Sequence, residues 1–154
     1  MEGQSDMKDS QHYAHKWLSR MWNTDDEVKQ YRDRAEKLLG AKIPAYDSEK
    51  IPGGSDPNPT ESKNIEYSAL MMEIEKRENQ IAYENNRTFN VIQKIDDAKL
   101  RGILYARYVN RLFWKQIGRE FHYERTQMDK YRLAALDAAY PFIPKGEVQD
   151  GEEL

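Results

Sequence analysis

The sequence predicts an all-α chain, a long coiled-coil-like helical hairpin followed by a small three-helix domain that carries a helix-turn-helix. Three observations lead to this reading. Apolar residues recur every three or four positions in two long stretches, with a Pro- and Gly-rich segment between them. A third of the residues are charged and only 38% are hydrophobic, a profile of extended helices with large solvated surfaces rather than of a thick core. The charge is also uneven. From Lys99 to Lys145 ten Lys and Arg stand against four acids, while the other 14 bases and 23 acids leave the rest of the 154-residue chain acidic around an overall net charge of −3.

Residues 1–42 form the expected N-terminal helical arm. Trp17, Met21, Thr24, Val28, Tyr31, Ala35 and Leu38 alternate in steps of four and three, the 3.5-residue period of a helical seam. Asn23 and Thr24, followed by Asp25, Asp26 and Glu27, also form a helix-start signal, so an interruption is compatible with that point. Residues 43–62 form the expected linker loop, because Pro44, Pro52, Gly53, Gly54, Pro57 and Pro59 oppose a continuous helix. Residues 63–96 make a second long helix with its heptad-like stripe at Tyr67, Leu70, Ile74, Ile81, Thr88, Val91, Ile92 and Ile95, interrupted in its middle by Arg77, Glu78, Glu84 and Asn85. The two stripes can face each other within one chain or pair two chains into a homodimer, and the sequence leaves both open.

Residues 97–141 form the helix-turn-helix domain. Asp96 and Asp97 offer a cap for a helix from Ala98 to about Asn110, with Leu100, Ile103, Leu104 and Tyr108 available to pack on the two helices of the motif. Trp114, Ile117, Gly118, Phe121, Tyr123, Met128 and Tyr131 make the core of those two short crossing helices, Gly118 being the small residue at the close approach. Arg125, Thr126, Gln127, Asp129, Lys130 and Arg132 point outward on the second helix in this reading. Its first residues reach deepest into a major groove, and Arg suits guanine, Gln suits adenine and Thr suits either a base edge or a thymine methyl. Arg125, Thr126 and Gln127 are therefore the expected base contacts, and Arg107, Arg111, Lys115, Arg119 and Lys130 the expected contacts to the DNA backbone. His122 stands at the turn position that most often holds Gly, and His is among the residues that tolerate a left-handed backbone. Residues 142–154 are expected to be an acidic disordered tail.

Other chemistries find little support. The absence of cysteine removes disulfides, thiol nucleophiles and thiolate metal sites. His12 and His15 lie one helical turn apart without a recognisable third ligand, so they read as solvated histidines rather than a metal site. Glu73, Glu75, Glu78 and Glu84 read as a solvated helix face, and Gly53-Gly54 lacks the Lys and Ser/Thr of a phosphate loop. The expectation is a protein that is not an enzyme, uses no cofactor and has double-stranded DNA as its partner. Met1 to Ser10 is polar and acidic, and no apolar run is long enough to span a membrane, which predicts a cytoplasmic protein without membrane association.

The stretch Leu104 to Leu136 resembles the C-terminal helix-turn-helix of phage regulators in the ArpU and RinA group, which are themselves similar to the promoter-reading region 4 of sigma-70 factors. The resemblance rests on Arg107-Tyr108-Val109-Asn110, Trp114-Lys115-Gln116-Ile117-Gly118, Tyr123, Gln127-Met128 and Ala135-Leu136. The layout of long helix, linker and second long helix is also similar to that group. His122 replaces the usual Gly, and Phe113 stands where the group commonly has a capping Ser or Thr. The resemblance implies a transcription regulator of phage or prophage type, acting at late-gene promoters in the host bacterial cytoplasm with host RNA polymerase as a second partner. The same arrangement suits a small terminase-like packaging subunit, and a basic surface alone suits a polymerase- or host-factor-binding module without DNA contact.

Overall fold

The structure, a computed structural model, describes residues 7–48 and 57–148, with side chains placed over 7–40 and 60–148. The described residues contain no strand, and the protein is all-α. The helices are α1 (Asp9–Leu18), α2 (Trp22–Ser48), α3 (Pro57–Gln93), α4 (Ala98–Leu104), α5 (Trp114–Phe121) and α6 (Arg125–Ala139). They form two compact units, an arm of Trp22–Tyr83 and a head of Met1–Met21 with Glu84–Leu154.

In the arm, α2 and the first part of α3 pair antiparallel within one chain. Val28, Ala35 and Leu38 of α2 and Ile74 of α3 are buried, as a seam with the sequence period requires. Ion pairs flank it: Glu27 with Arg77 at 3.5 Å, Arg32 with Glu78, and Arg34 with Glu66 through a two-pronged fork of 2.8 and 3.0 Å. Exposed pairs like these contribute little to stability, but they penalise a slipped register.

The expected linker is shorter than residues 43–62. α2 runs through Pro44 to Ser48, and α3 begins at Pro57. Pro57 and Pro59 occupy the first turn of α3, where backbone N–H groups have no partner within the helix, so the missing donors cost nothing there. Residues 49–56, including Pro52, Gly53 and Gly54, lie outside the described residues.

The head departs further from the sequence reading. The first helix does not run from Tyr13 into the arm but stops at Leu18, and α1 packs on α6. The stop lies at residues 19–21, ahead of the cap signal at Asn23 and Thr24. Side chains close α1 there: the Ser19 hydroxyl donates to the His15 carbonyl at 2.7 Å, and Arg20 Nη1 donates to the Trp17 carbonyl at 2.7 Å. Gln11 ties α1 down from within, accepting from the Lys8 N–H at 2.8 Å and donating to the Leu133 carbonyl at 3.3 Å. The head is thus larger than the three helices expected of 97–141.

α6 runs through the middle of this unit. Met128, Arg132, Ala135, Leu136 and Ala139 are buried along it, and α1 and α4 lie against it, with alanines letting the helices approach closely. Ile103, Leu104, Ile117 and Leu136 are fully buried, each contributing about 1.5–3 kcal/mol. Asp97 caps α4 as expected, accepting from the Lys99 N–H at 2.8 Å. The helix then widens into a π-helical turn over Tyr105–Val109, which ends as the Leu112 N–H bonds the Ala106 carbonyl at 3.0 Å.

The start of the expected disordered tail is built into the head. Ile143 is buried, the Tyr13 hydroxyl donates to the Pro144 carbonyl at 2.8 Å, and Glu147 accepts from Trp17 Nε1 at 3.0 Å and Arg87 at 2.8 Å. Apolar Ile143 and the charge of Arg87 hold a segment that composition alone marks as solvated. Residues 149–154 lie outside the described residues.

Arg20 joins these pieces. Its guanidinium lies 3.6 Å from the centre of the fully buried Trp17 ring, forks onto Glu84 at 2.8 and 3.1 Å and donates to Thr88 at 3.0 Å. Burial pulls its pKa down and the Glu84 carboxylate pushes it back up. Arg20→Ala removes one of the two guanidiniums on the half-buried Glu84 carboxylate, which keeps Arg87 at 3.0 Å, and takes a donor from Thr88 and from the Trp17 and Glu84 carbonyls, so it should destabilise the head by about 2–3 kcal/mol in urea unfolding followed by circular dichroism. Arg20→Lys, which cannot fork, should recover less than half of that loss, whereas full recovery would contradict the role assigned to the guanidinium.

Candidate nucleic-acid interface

α5 and α6 are joined by the turn 122–124, and its geometry is set by backbone hydrogen bonds. The Tyr123 N–H bonds the Gly118 carbonyl at 2.8 Å and the His122 N–H bonds the Arg119 carbonyl at 3.3 Å, the paired closure of a helix that ends on a left-handed residue. That residue is His122, at φ 63 and ψ 41. A left-handed backbone costs a non-glycine residue about 1–2 kcal/mol. Packing supplies the compensation: Phe121, Tyr123 and Tyr131 stack edge to face at 5.9 and 4.8 Å, and Lys99 donates to the Tyr131 hydroxyl at 3.3 Å.

Gly118 is buried at the crossing, where an added Cβ would lie 3.4 Å from the Tyr123 carbonyl oxygen and 3.8 Å from Met128 Sδ. A methyl there makes ordinary van der Waals contact. Ile117 and Met128 are buried beside it, while Trp114, Phe121, Tyr123 and Tyr131 are half-buried. Of the seven residues read as the motif core, Gly118, Tyr123 and Met128 meet at the crossing and Phe121 and Tyr131 touch Tyr123, whereas Trp114 faces Tyr108, Arg107 and Arg132.

Both helices start without a capping Ser, Thr, Asp or Asn. Instead Gln116 accepts from the Phe113 N–H at 2.9 Å and Gln127 accepts from the Glu124 N–H at 3.2 Å. Gln11 closes the start of α1 in the same way. A glutamine three residues into the helix supplies half of a capping box, a signal that stands in the sequence even where Ser and Thr caps are missing. Gln127, expected only as a base contact, thus spends its carbonyl oxygen on the turn and keeps its amide donors.

Arg125, Thr126 and Gln127 are exposed at the start of α6, and Lys115, Arg119 and Lys130 are exposed nearby on α5 and α6. Among the described residues, none of Lys115, Arg119, Arg125 and Lys130 has a hydrogen-bond or ion-pair partner. Lys115, Arg119 and Arg125 line a cleft of about 520 Å³ together with Trp114, Gly118, Tyr123, Met128 and Asp129.

Two arginines placed outward by the sequence are turned inward. Arg132 is 9% exposed, with its guanidinium 5.9 Å from the centre of the Trp114 ring, 3.7 Å from Met7 Sδ and 3.9 Å from Asp129. Arg107, expected on the DNA backbone, is half-buried. It donates to the Leu112 carbonyl at 2.9 Å and lies 5.4 Å from the Trp114 ring centre, and burial lowers its pKa. Its charge is committed to closing the π-helical turn. Arg111 sits in the loop before α5 with a left-handed backbone at φ 61, half-buried.

His15 is not a solvated histidine either. Its Nδ1 is 2.7 Å from the Tyr108 hydroxyl, and burial, with Arg107, His12 and Arg132, pushes its pKa down to about 4. Burial raises the Tyr108 pKa, so that hydroxyl keeps its proton and donates to the neutral imidazole. No cluster of three metal-ligating side chains occurs among the described residues, and no helix among them is long and apolar enough to cross a membrane.

No protein family, no curated protein and no solved structure matches this chain.

The histidine makes a pH test. An unfolded His15 takes up a proton near pH 6.5 and the folded one near 4, so the unfolded state binds more protons in that window. Stability is unaffected by this group above pH 6.5 and falls as pH drops toward 4, by up to about 3 kcal/mol. His15→Gln, which keeps an acceptor for Tyr108, should flatten the difference in urea midpoint between pH 7 and pH 4.5. An unchanged pH profile in the variant would refute the assignment.

Proposed function

We propose that this chain is a sequence-specific DNA-binding transcription regulator of the phage or prophage type its sequence resembles, and that it engages double-stranded DNA through α5 and α6. The observation that carries the reading concerns unspent charge. Elsewhere in the chain arginines are engaged by the protein itself: Arg20, Arg32, Arg34, Arg77 and Arg87 by carboxylates, Arg101 by the Ile95 and Asp96 carbonyls, Arg107 by a carbonyl and Arg132 by an aromatic ring and Asp129. Arg119 and Arg125 are left without a protein partner among the described residues, around one cleft with Lys115, and Lys130 is exposed on α6. Unpaired cations gathered on adjacent helices are what phosphate neutralisation uses.

Roles divide by position. Lys115, Arg119 and Lys130 take the DNA backbone, and Arg125, Thr126 and the amide donors of Gln127 take base edges. Arg107 drops out of the contact set because its guanidinium holds the π-helical turn. Promoter action and contact with host RNA polymerase come to this reading from the resemblance alone.

The test is fluorescence anisotropy with duplexes recovered by in vitro selection, titrated across salt. Lys115→Gln and Lys130→Gln should weaken all sequences alike and reduce the slope of log affinity against log salt by about 0.9 each. Arg125→Ala should relax preference at one base position by about 1–3 kcal/mol. Gln127→Glu keeps the acceptor for Glu124 and removes the amide donors, so it should lose base preference without loss of stability. Lys29→Gln and Lys37→Gln on the arm should change nothing. Equal losses from arm and head variants would sink the proposal.

A further inference from the structure

The cleft between α5 and α6 has a shape and a lining that DNA contact by itself does not explain. Lys115, Arg119 and Arg125 stand around a concavity of about 520 Å³, a shape that contact with phosphates does not require. Its lining includes Trp114, Tyr123, Met128 and the bare backbone of Gly118. This volume lies in the range of small-molecule sites, and its combination of apolar lining and a few convergent polar groups is what such sites use.

The lining is held in place from several sides. The Trp114 ring has the Arg107 and Arg132 guanidiniums 5.4 and 5.9 Å from its centre and the Tyr108 ring edge-on at 6.4 Å. Tyr123 is held by Phe121 and Tyr131, and Met128 is buried. A second concavity, between α3, α4 and α5, is lined by Phe89, Tyr105 and Phe121 but has Arg101 and Glu120 together at its edge, so it offers no net charge to a ligand. The α5–α6 cleft has three unpaired cations against the single acid Asp129, which already leans 3.9 Å from Arg132.

We infer that the α5–α6 cleft is a binding site for a small planar aromatic anion, with the ring among Trp114, Tyr123 and Met128 and the anionic group on Lys115, Arg119 and Arg125. Aromatic rings and a polarisable thioether favour a flat aromatic ligand. Three cations without protein carboxylates favour its negative charge. Arg125 belongs both to this site and to the proposed base contacts, so an occupied cleft removes it from DNA. The competition part of the inference rests on the proposed function, and the binding part does not.

The test uses the full chain with naphthalene-1-sulfonate as the probe and naphthalene-1-methanol as its uncharged counterpart. Binding is read from amide and Met128 methyl NMR shifts. The sulfonate should produce saturable one-to-one shifts at Gly118, Tyr123 and Met128, and the alcohol should bind at least tenfold more weakly. Lys115→Gln with Arg119→Gln, both exposed positions, should weaken the sulfonate about tenfold and leave the alcohol unchanged. Shifts that do not saturate, or that centre on Phe89 and Tyr105, would overturn the site. Addition of a duplex that binds the protein should displace the sulfonate. Sulfonate binding that persists beside bound duplex would overturn the competition. Saturable sulfonate binding in a protein that retains no duplex would uphold the cleft and refute the DNA reading.

Discussion

The head depends on one stacked pair. Trp17 is completely buried, and the Arg20 guanidinium lies 3.6 Å from its ring centre while reaching Glu84 and Thr88 on α3. Glu147, from the end of the described chain, accepts from the Trp17 indole and from Arg87 of α3. Segments far apart in sequence therefore meet on one indole ring, with its apolar faces packed and its single donor satisfied. This contact holds α1 in the head and stops it from continuing as the arm. With α1 in place, α6 is covered by both α1 and α4, and the α5–α6 junction rests on a supported helix.

The same distribution of partners shapes the candidate interface. A chain with net charge −3 and 24 cations could pair nearly all of them with its own acids, and most arginines are so engaged. Arg107 and Arg132 show how far this goes, since both are drawn in around Trp114. A guanidinium can be buried in this way because it is weakly hydrated and stacks on aromatic rings. The cations of α5 and α6 that remain unpaired are consequently few and local, and they lie around a concavity rather than along a stripe.

Features that rest on local spacing are legible in the sequence. The arm seam at Val28, Ala35 and Leu38 is one, because α2 keeps its period along the arm; the α4 cap at Asp97 and the left-handed turn at His122 are others, because each is a property of a few adjacent residues. Trp17 fits the 3.5-residue period of the arm as well as it fits the head, and spacing does not say which partner covers an apolar residue. Arg132 reads as outward because amphipathic patterning counts every charge as solvated, although a ring and a carboxylate within reach can cover one. The π-helical turn at Tyr105–Val109 leaves no mark in residue type. The glutamine caps are readable, since Gln11, Gln116 and Gln127 all sit three residues after the position they close.

The central claim is that duplex DNA is met by α5 and α6 and not by the arm. Amide hydrogen–deuterium exchange with and without a selected duplex addresses it directly, since exchange reports local opening and cover along the whole chain. The account predicts slowed exchange confined to residues 114–131, with the arm helices over 23–38 and 60–83 unchanged. Slowed exchange concentrated in the arm, or none anywhere at duplex concentrations that saturate anisotropy, would contradict it.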